Sequence, residues 1–354
     1  MKALVYNGPG SRIWHDVPDP VIKDPEDAIV RVDAVTICGT DLHILKGDVP
    51  TVEPGRVLGH EAVGTVETVG SAVRGVAAGD RVLISCITAC GRCRYCREGR
   101  YGQCLGGGGW ILGHRIDGTQ AEKVRVPFAD RSVYKLPDNV TDEAALMLAD
   151  ILPTSYEVGV LSGHVTPGDT VAIVGAGPIG LAAVTTSRLF SPSRVIVIDP
   201  APARQEAALK FGADLVLHPD DDVLSQVQGL TDGLGADVAI EAVGVPATFE
   251  LCAELVRPGG RVANVGVHGA PATLHLESLW IRDVTITTGL VDTFSTPRLL
   301  GMLSAGRLSL PGLVTHRFGI GEMQDAYDVF SRPAETGALK VALFADESLH
   351  HVTR

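Results

Sequence analysis

Residues 170–180 read TVAIVGAGPIG, a β-branched apolar run that breaks into three glycines and leads into a helical pattern. No other stretch limits the fold so severely. A lone G-x-G-x-x-G is common, but here a strand pattern precedes it and a helical one follows, as dinucleotide binding requires. Gly175 permits the tight turn, Gly177 lets a pyrophosphate approach the backbone, and Gly180 allows close helix–strand packing. Pro178 and Ile179 then open a helix whose unpaired N–H groups and partial positive charge favour phosphate. A glycine turn without a nucleotide is the competing reading. Similar apolar runs follow at 194–199, 213–217, 236–242, 261–267 and 283–290, with helical stretches around 178–190, 202–211 and 247–256 between most of them. Strands apolar on both faces belong to covered parallel sheets, so a doubly wound α/β domain is expected.

Asp199 ends the run RVIVID, 24 residues after Gly175. A carboxylate there accepts hydrogen bonds from the adenosine ribose hydroxyls and repels a 2′-phosphate. Residues 200–203 (PAPA) bring no base and Arg204 is a turn further on, so NAD(H) is expected over NADP(H).

The 354 residues exceed what one hydrophobic core usually serves. Residues 1 to about 150 carry short runs at 2–6, 28–35, 62–69, 80–84, 122–126 and 132–136, with turn residues between them. That rhythm predicts a compact, mostly antiparallel β domain. Thr141-Asp142-Glu143 then reads as the capped, acidic start of a helix running to Asp150. Past Thr296 come two helical patterns (PRLLGMLSAG and GEMQDAYDVF) and a last strand, LKVALF, a tail too small to stand alone. The expected division is a first domain at 1–152, the dinucleotide domain at 153–296, and a return of 297–354 to the first.

Four of the seven cysteines crowd into CGRCRYCREGRYGQC, at Cys90, Cys93, Cys96 and Cys104. Seven is too few for a disulfide-stapled scaffold of this length. Four thiolates so close can close on one tetrahedral ion, with Zn–S bonds of about 2.3 Å. Neighbouring arginines favour the thiolate form. A structural zinc lobe over residues 86–108 is the reading, against a redox dithiol or incidental thiols. Lys plus Arg total 30 and Asp plus Glu 42, a net charge of −12 that repels nucleic acid and anionic membranes. The longest apolar runs are strand-sized, and MKALVYNG reads as an edge strand rather than a signal peptide. A cytoplasmic protein with a small-molecule substrate, and neither nucleic-acid nor membrane partner, is expected.

Three further metal-ligand types stand in unusual settings. Cys38 follows the run AVTI, His60 sits between Gly59 and Glu61, and Asp150 falls where the expected helix ends. A carboxylate at a helix carboxyl end needs a countercharge, which a cation would supply. A buried thiol, a core histidine and a capping aspartate are the separate alternatives.

CGTDLH, GHEAVGTVETVG, the four-cysteine run, and GAGPIG with Asp199, in this order, resemble the zinc-dependent alcohol dehydrogenases of the medium-chain dehydrogenase/reductase superfamily. Asp150 in LMLADILPT and Trp110 in GWILGHRIDG most resemble the bacterial secondary-alcohol dehydrogenases. The resemblance spans the chain and implies a GroES-like catalytic domain beside a Rossmann domain. It implies that Cys38, His60 and Asp150 hold a catalytic zinc, with Glu61 able to approach the metal and Asp41 orienting the histidine. Thr40 and His43 match the proton relay, and Trp110 the substrate pocket. Thr154 matches a nicotinamide contact, Arg204, Val243, Val265, Val267 and Leu290 further cofactor contacts, and Lys340 a basic residue at the pyrophosphate. The implied enzyme oxidises a secondary, possibly primary, alcohol with NAD, reversibly, using one catalytic and one structural zinc, as a homotetramer or else a dimer. Polyol, threonine and formaldehyde dehydrogenases share the framework, and a non-catalytic nucleotide-binding protein is the remote alternative.

Overall fold

The computed structural model describes residues 1–345. The chain forms two units, Met1–Asp150 with the chain from Asp292 onward, and Ile151–Val291. These limits lie just before the expected ones at 152 and 296.

In the first unit, Lys2–Tyr6 pairs antiparallel with Arg12–Asp16 and Arg56–Val57. A larger sheet runs Val314–Gly319, Lys340–Phe344, Ala28–Thr36, Ala62–Val69, Arg81–Ile84, Val133–Lys135. Its long strand Ala28–Thr36 pairs along its first half with Lys123–Val126 and at its end with Lys340–Phe344. Every pairing is antiparallel except that of Val314–Gly319 with Lys340–Phe344. Val30, Val32, Ala62, Val82, Ile84, Val124 and Leu343 form one core, joined by Met323 and Tyr327 of the helix Met323–Phe330. The runs at 2–6 and 62–69 are strands with those bounds. Arg12–Asp16 and Val314–Gly319 were not anticipated; both are half exposed and polar, so neither alternates cleanly.

The second unit holds a six-stranded sheet, in order Leu215–Leu217, Arg194–Ile198, Thr170–Val174, Ala236–Glu241, Val256–Asn264, Thr285–Thr288. All pairs are parallel. Numbered within the unit this is the order 3-2-1-4-5-6 of the Rossmann fold. Thr170–Val174 is buried throughout, which explains its uninterrupted apolar sequence. The sequence reading lacked the helix Val223–Gly229, where only Val223 and Val227 are buried and Asp222 caps the amino end.

The helix expected from Thr141 to Asp150 is shorter. It spans Asp142–Leu146, and after a turn a second helix starts at Ile151. The carbonyl of Ala149 accepts from Cys86 N instead (3.0 Å), and Pro153, with no N–H to give, stands in the first turn of the new helix. Asp150 therefore precedes a helix amino end, where an anion is favoured, rather than closing a helix at its carboxyl end.

Candidate functional site

Cys38 follows the strand Ala28–Thr36 and caps the helix Gly39–Lys46, its N–H donating to Asp41 Oδ2 at 2.9 Å. That cap places Thr40, Asp41 and His43 on one short helix beside the thiol. His60 and Glu61 lie at the start of Ala62–Val69, behind Gly59, whose φ of +91° turns the chain inward. Asp150 arrives from the turn just described.

Ligand atoms of Cys38, His60, Glu61 and Asp150 all lie within 4.8 Å of one another. Asp150 Oδ2 is 3.6 Å from Cys38 Sγ and 3.4 Å from His60 Nε2. Zinc bonds of about 2.3 Å to sulfur and 2.0–2.2 Å to nitrogen and oxygen give tetrahedral edges of roughly 3.6 and 3.4 Å. The spacing matches that of a zinc ligand shell. One thiol, one imidazole and one carboxylate suit zinc.

The electrostatics agree. Burial pushes the Cys38 thiol and the Asp41 and Glu61 carboxyls upward. Burial would lower His60, but hydrogen bonds to Asp150 and Cys38 carry it well above the usual histidine value. So many anionic groups in a dry pocket are costly without cations, and a divalent ion reverses that cost.

Lys340, expected at the pyrophosphate, is 1% exposed, and its Nζ donates to Ile37 O (2.9 Å) and to Glu61 Oε1 (3.1 Å), with Oε2 at 2.9 Å. Within its own unit the ammonium is thus held beside the ligand cluster. Trp110 stacks on His114 (4.4 Å between centroids) and meets the His60 ring edge-on at 6.2 Å, beside the candidate metal site.

The cysteine lobe is equally compact. All four thiols cluster, with Cys90 and Cys96 sulfurs 3.9 Å apart, near the roughly 3.8 Å edge of a zinc–sulfur tetrahedron. Cys96 N and Leu105 N donate to Cys93 Sγ, and Cys90 N and Gly106 N to Cys104 Sγ. The amides of Cys96 and Leu105 lower Cys93 to about 6, while burial raises Cys96 to about 12. The group fits a structural zinc lobe.

In the second unit, Gly175 has φ +102°, and a Cβ there would lie 2.5 Å from the Val243 side chain. A Cβ on Gly180 would lie 1.9 Å from the Gly175 carbonyl, so helix and strand touch there. Gly177 faces open space and caps the helix Pro178–Arg188, which begins Pro178-Ile179. Gly177→Ala is therefore expected to leave the melting temperature unchanged while raising the KM for NAD at least about tenfold, through loss of backbone approach to the pyrophosphate. Thermal melts and NAD titrations check this.

Asp199 is buried, its Oδ2 accepting from Ala176 N and its Oδ1 from Ala201 N, both at 2.8 Å. Arg204 follows in the helix Pro202–Lys210. Val243, Val267 and Leu290 are exposed, Val265 is half-buried, and Thr154 ends the helix Ile151–Thr154. Two residues escaped the sequence reading. Glu241 accepts from Val243 N (2.9 Å) and Gly244 N (2.8 Å), pinning the loop against Gly175; an acid ending the apolar run ADVAI was its signal. Gln120 donates to Asp41, and no local pattern marks it.

The family profile described as alcohol dehydrogenase GroES-like domain matches residues 24–138, and that described as zinc-binding dehydrogenase matches 178–302. An alcohol dehydrogenase of Cupriavidus necator is 40% identical over 97% of this chain and 98% of its own. An L-threonine 3-dehydrogenase of Pyrococcus horikoshii is 33% identical over 95% and 97%. Among solved structures, the apo form of zinc dependent alcohol dehydrogenase 2 from Streptococcus pneumonia superposes with a TM-score of 0.94 at 50% identity, covering 98% of this chain and 99% of that one. With two matched domains, a Rossmann strand order and two clusters of zinc-ligand type, the chain belongs to the zinc-dependent alcohol dehydrogenases of the medium-chain dehydrogenase/reductase superfamily.

Proposed function

We propose that this alcohol dehydrogenase oxidises small and medium secondary alcohols with NAD, and reduces the matching ketones, with about two zinc ions per chain. The spacing of Cys38, His60 and Asp150 carries the reading, because three protein ligands leave a fourth position for a substrate oxygen. When bound, zinc supplies the positive charge that makes an alcohol hydroxyl acidic, and nicotinamide supplies the hydride acceptor.

The chain's own residues do the rest. Thr40 Oγ1 lies 3.6 Å from Cys38 Sγ, so its hydroxyl stands beside the ligand shell and can take the substrate proton. His43, three residues on in the same helix, has its side chain partly exposed and its Nδ1 2.8 Å from Asp48 Oδ2. It would release that proton to solvent, and a nicotinamide ribose hydroxyl, when bound, would supply the link between Thr40 and His43. Lys340 holds the Glu61 carboxylate, and Trp110 walls the substrate side of His60. Asp199 presents a fixed carboxylate to the adenosine ribose, which supports NAD(H) over NADP(H).

One assay series tests this. The purified protein is expected to contain about two zincs and to oxidise 2-butanol and 2,3-butanediol with NAD faster than sorbitol or threonine. His43→Ala is expected to slow oxidation at neutral pH, with partial recovery on adding imidazole. A single zinc and no NAD-linked activity on any alcohol would leave only a retained fold; threonine as the best substrate would select the alternative. A cytoplasmic homotetramer, or a dimer, completes the proposal. Among the described residues no helix is long and apolar enough to cross a membrane. Trp280 and Ile281 stand largely exposed near Thr285–Thr288, which ends the parallel sheet, a surface suited to a second copy. Sedimentation of the same preparation reads the assembly.

A further inference from the structure

Behind the ligand cluster runs a buried chain of hydrogen bonds that begins in the last third of the sequence. Tyr327, on the helix Met323–Phe330, is fully buried, and its hydroxyl donates to Gln120 Oε1 at 2.8 Å. Gln120 Nε2 donates to Asp41 Oδ2 at 2.9 Å and, more weakly, to Thr36 O at 3.4 Å. Asp41 Oδ2 also accepts from Cys38 N, so that oxygen is occupied twice. Its other oxygen, Oδ1, is buried without a hydrogen bond and faces His60 Nδ1 at 3.9 Å. His60 Nε2 lies on the side of Asp150 Oδ2.

Gln120 has little freedom. Its backbone bonds both to Leu4 and to Leu58, and a Cβ on Gly59, the residue before His60, would lie 2.6 Å from Gln120 Cγ. Turning the amide over would set its oxygen against the Asp41 carboxylate and the Thr36 carbonyl, which are both acceptors. Tyr327, whose ring centroid lies 4.7 Å under the Arg12 guanidinium, donates its hydroxyl to the amide oxygen in the orientation observed.

We propose that Gln120, oriented by Tyr327, is a positioning residue for the metal site. It holds Asp41 turned so that Oδ1 faces His60 Nδ1, which orients the ring with Nε2 toward Cys38 and Asp150. A partner that fixes a ligand histidine commonly governs how tightly the metal is held. The inference rests on the metal reading above and extends it to two residues that touch neither metal nor substrate.

The test uses the full chain loaded with zinc and, separately, with cobalt(II). Chelator competition measures retention of each metal, and visible absorption of cobalt at the Cys38 site reports its ligand geometry. Gln120→Met is expected to weaken that site by roughly 10–100-fold and to shift the cobalt bands, with the four-cysteine metal retained as before. Tyr327→Phe, which removes one oxygen, is expected to weaken it several-fold. The double variant should match Gln120→Met, because Tyr327 acts through Gln120. Wild-type affinity and cobalt bands in Gln120→Met, or losses that add in the double variant, overturn the proposal. If Gln120→Met does not fold, wild-type affinity in Tyr327→Phe overturns it alone. Absence of a second metal in the unaltered protein would instead strike the metal reading itself.

Discussion

Cys38→Ala is expected to yield a folded protein that keeps one zinc per chain and loses at least about 10⁴-fold in kcat/KM for alcohol oxidation. Zinc lowers the pKa of bound water from about 15.7 to about 7, and an equal shift for an alcohol corresponds to roughly 12 kcal/mol. Losing half of that is about a 10⁴-fold rate loss. The thiol is the one soft donor among the clustered ligands, while the backbone N–H that caps the helix Gly39–Lys46 survives the substitution. The loss should therefore fall on metal and rate and spare the fold. Asp150→Asn keeps an oxygen but removes the charge, and a smaller loss is expected. Metal analysis and steady-state kinetics on the same preparations decide the matter. Undiminished NAD-linked oxidation by Cys38→Ala would remove the cluster from the mechanism.

Cys96→Ser is expected to act on stability instead. Its sulfur is buried, 3.9 Å from that of Cys90, and burial holds the metal-free thiol up at about 12, so a cation is what makes it a thiolate at neutral pH. Structural zinc contributes on the order of 10 kcal/mol to small domains, comparable with the whole stability of many proteins. Losing about half of that should lower the melting temperature by roughly 10 °C or more. Arg94 and Arg100 are largely exposed in the lobe, so loosening should also open them to trypsin. Calorimetry and limited proteolysis read both effects. An unchanged zinc count and melting curve would return the four thiols to the status of incidental neighbours.

Features written in adjacent residues were legible. Gly175, Gly177 and Gly180 form a local turn, and the cysteine lobe closes within fifteen positions. The strands at 170–174 and 62–69 carry their own burial pattern and were legible for the same reason. Cys38, His60 and Asp150 come from three distant segments; family resemblance, not spacing, grouped them. The setting of Asp150 was misread because a long-range bond from Cys86 to Ala149 interrupts the helix, which no propensity encodes. The bond of Lys340 to Glu61 was not legible because the two lie 279 residues apart. Gln120 and Tyr327, 207 residues apart, gain their role only when the tail folds back, and nothing nearby distinguishes them from ordinary core residues.

The strand Lys340–Phe344 lies inside the large sheet, with Ala342 opposite Thr36. On the ribosome, the start of this sheet must wait for its end. At about 5–20 residues per second, roughly 15–60 s separate emergence of the two strands. Throughout that interval the edge of Ala28–Thr36 offers unpaired amides to any passing extended segment. The dinucleotide-binding unit, contiguous in sequence, can complete itself first. Nascent chains halted before the last strand should thus be the species that chaperones must shield.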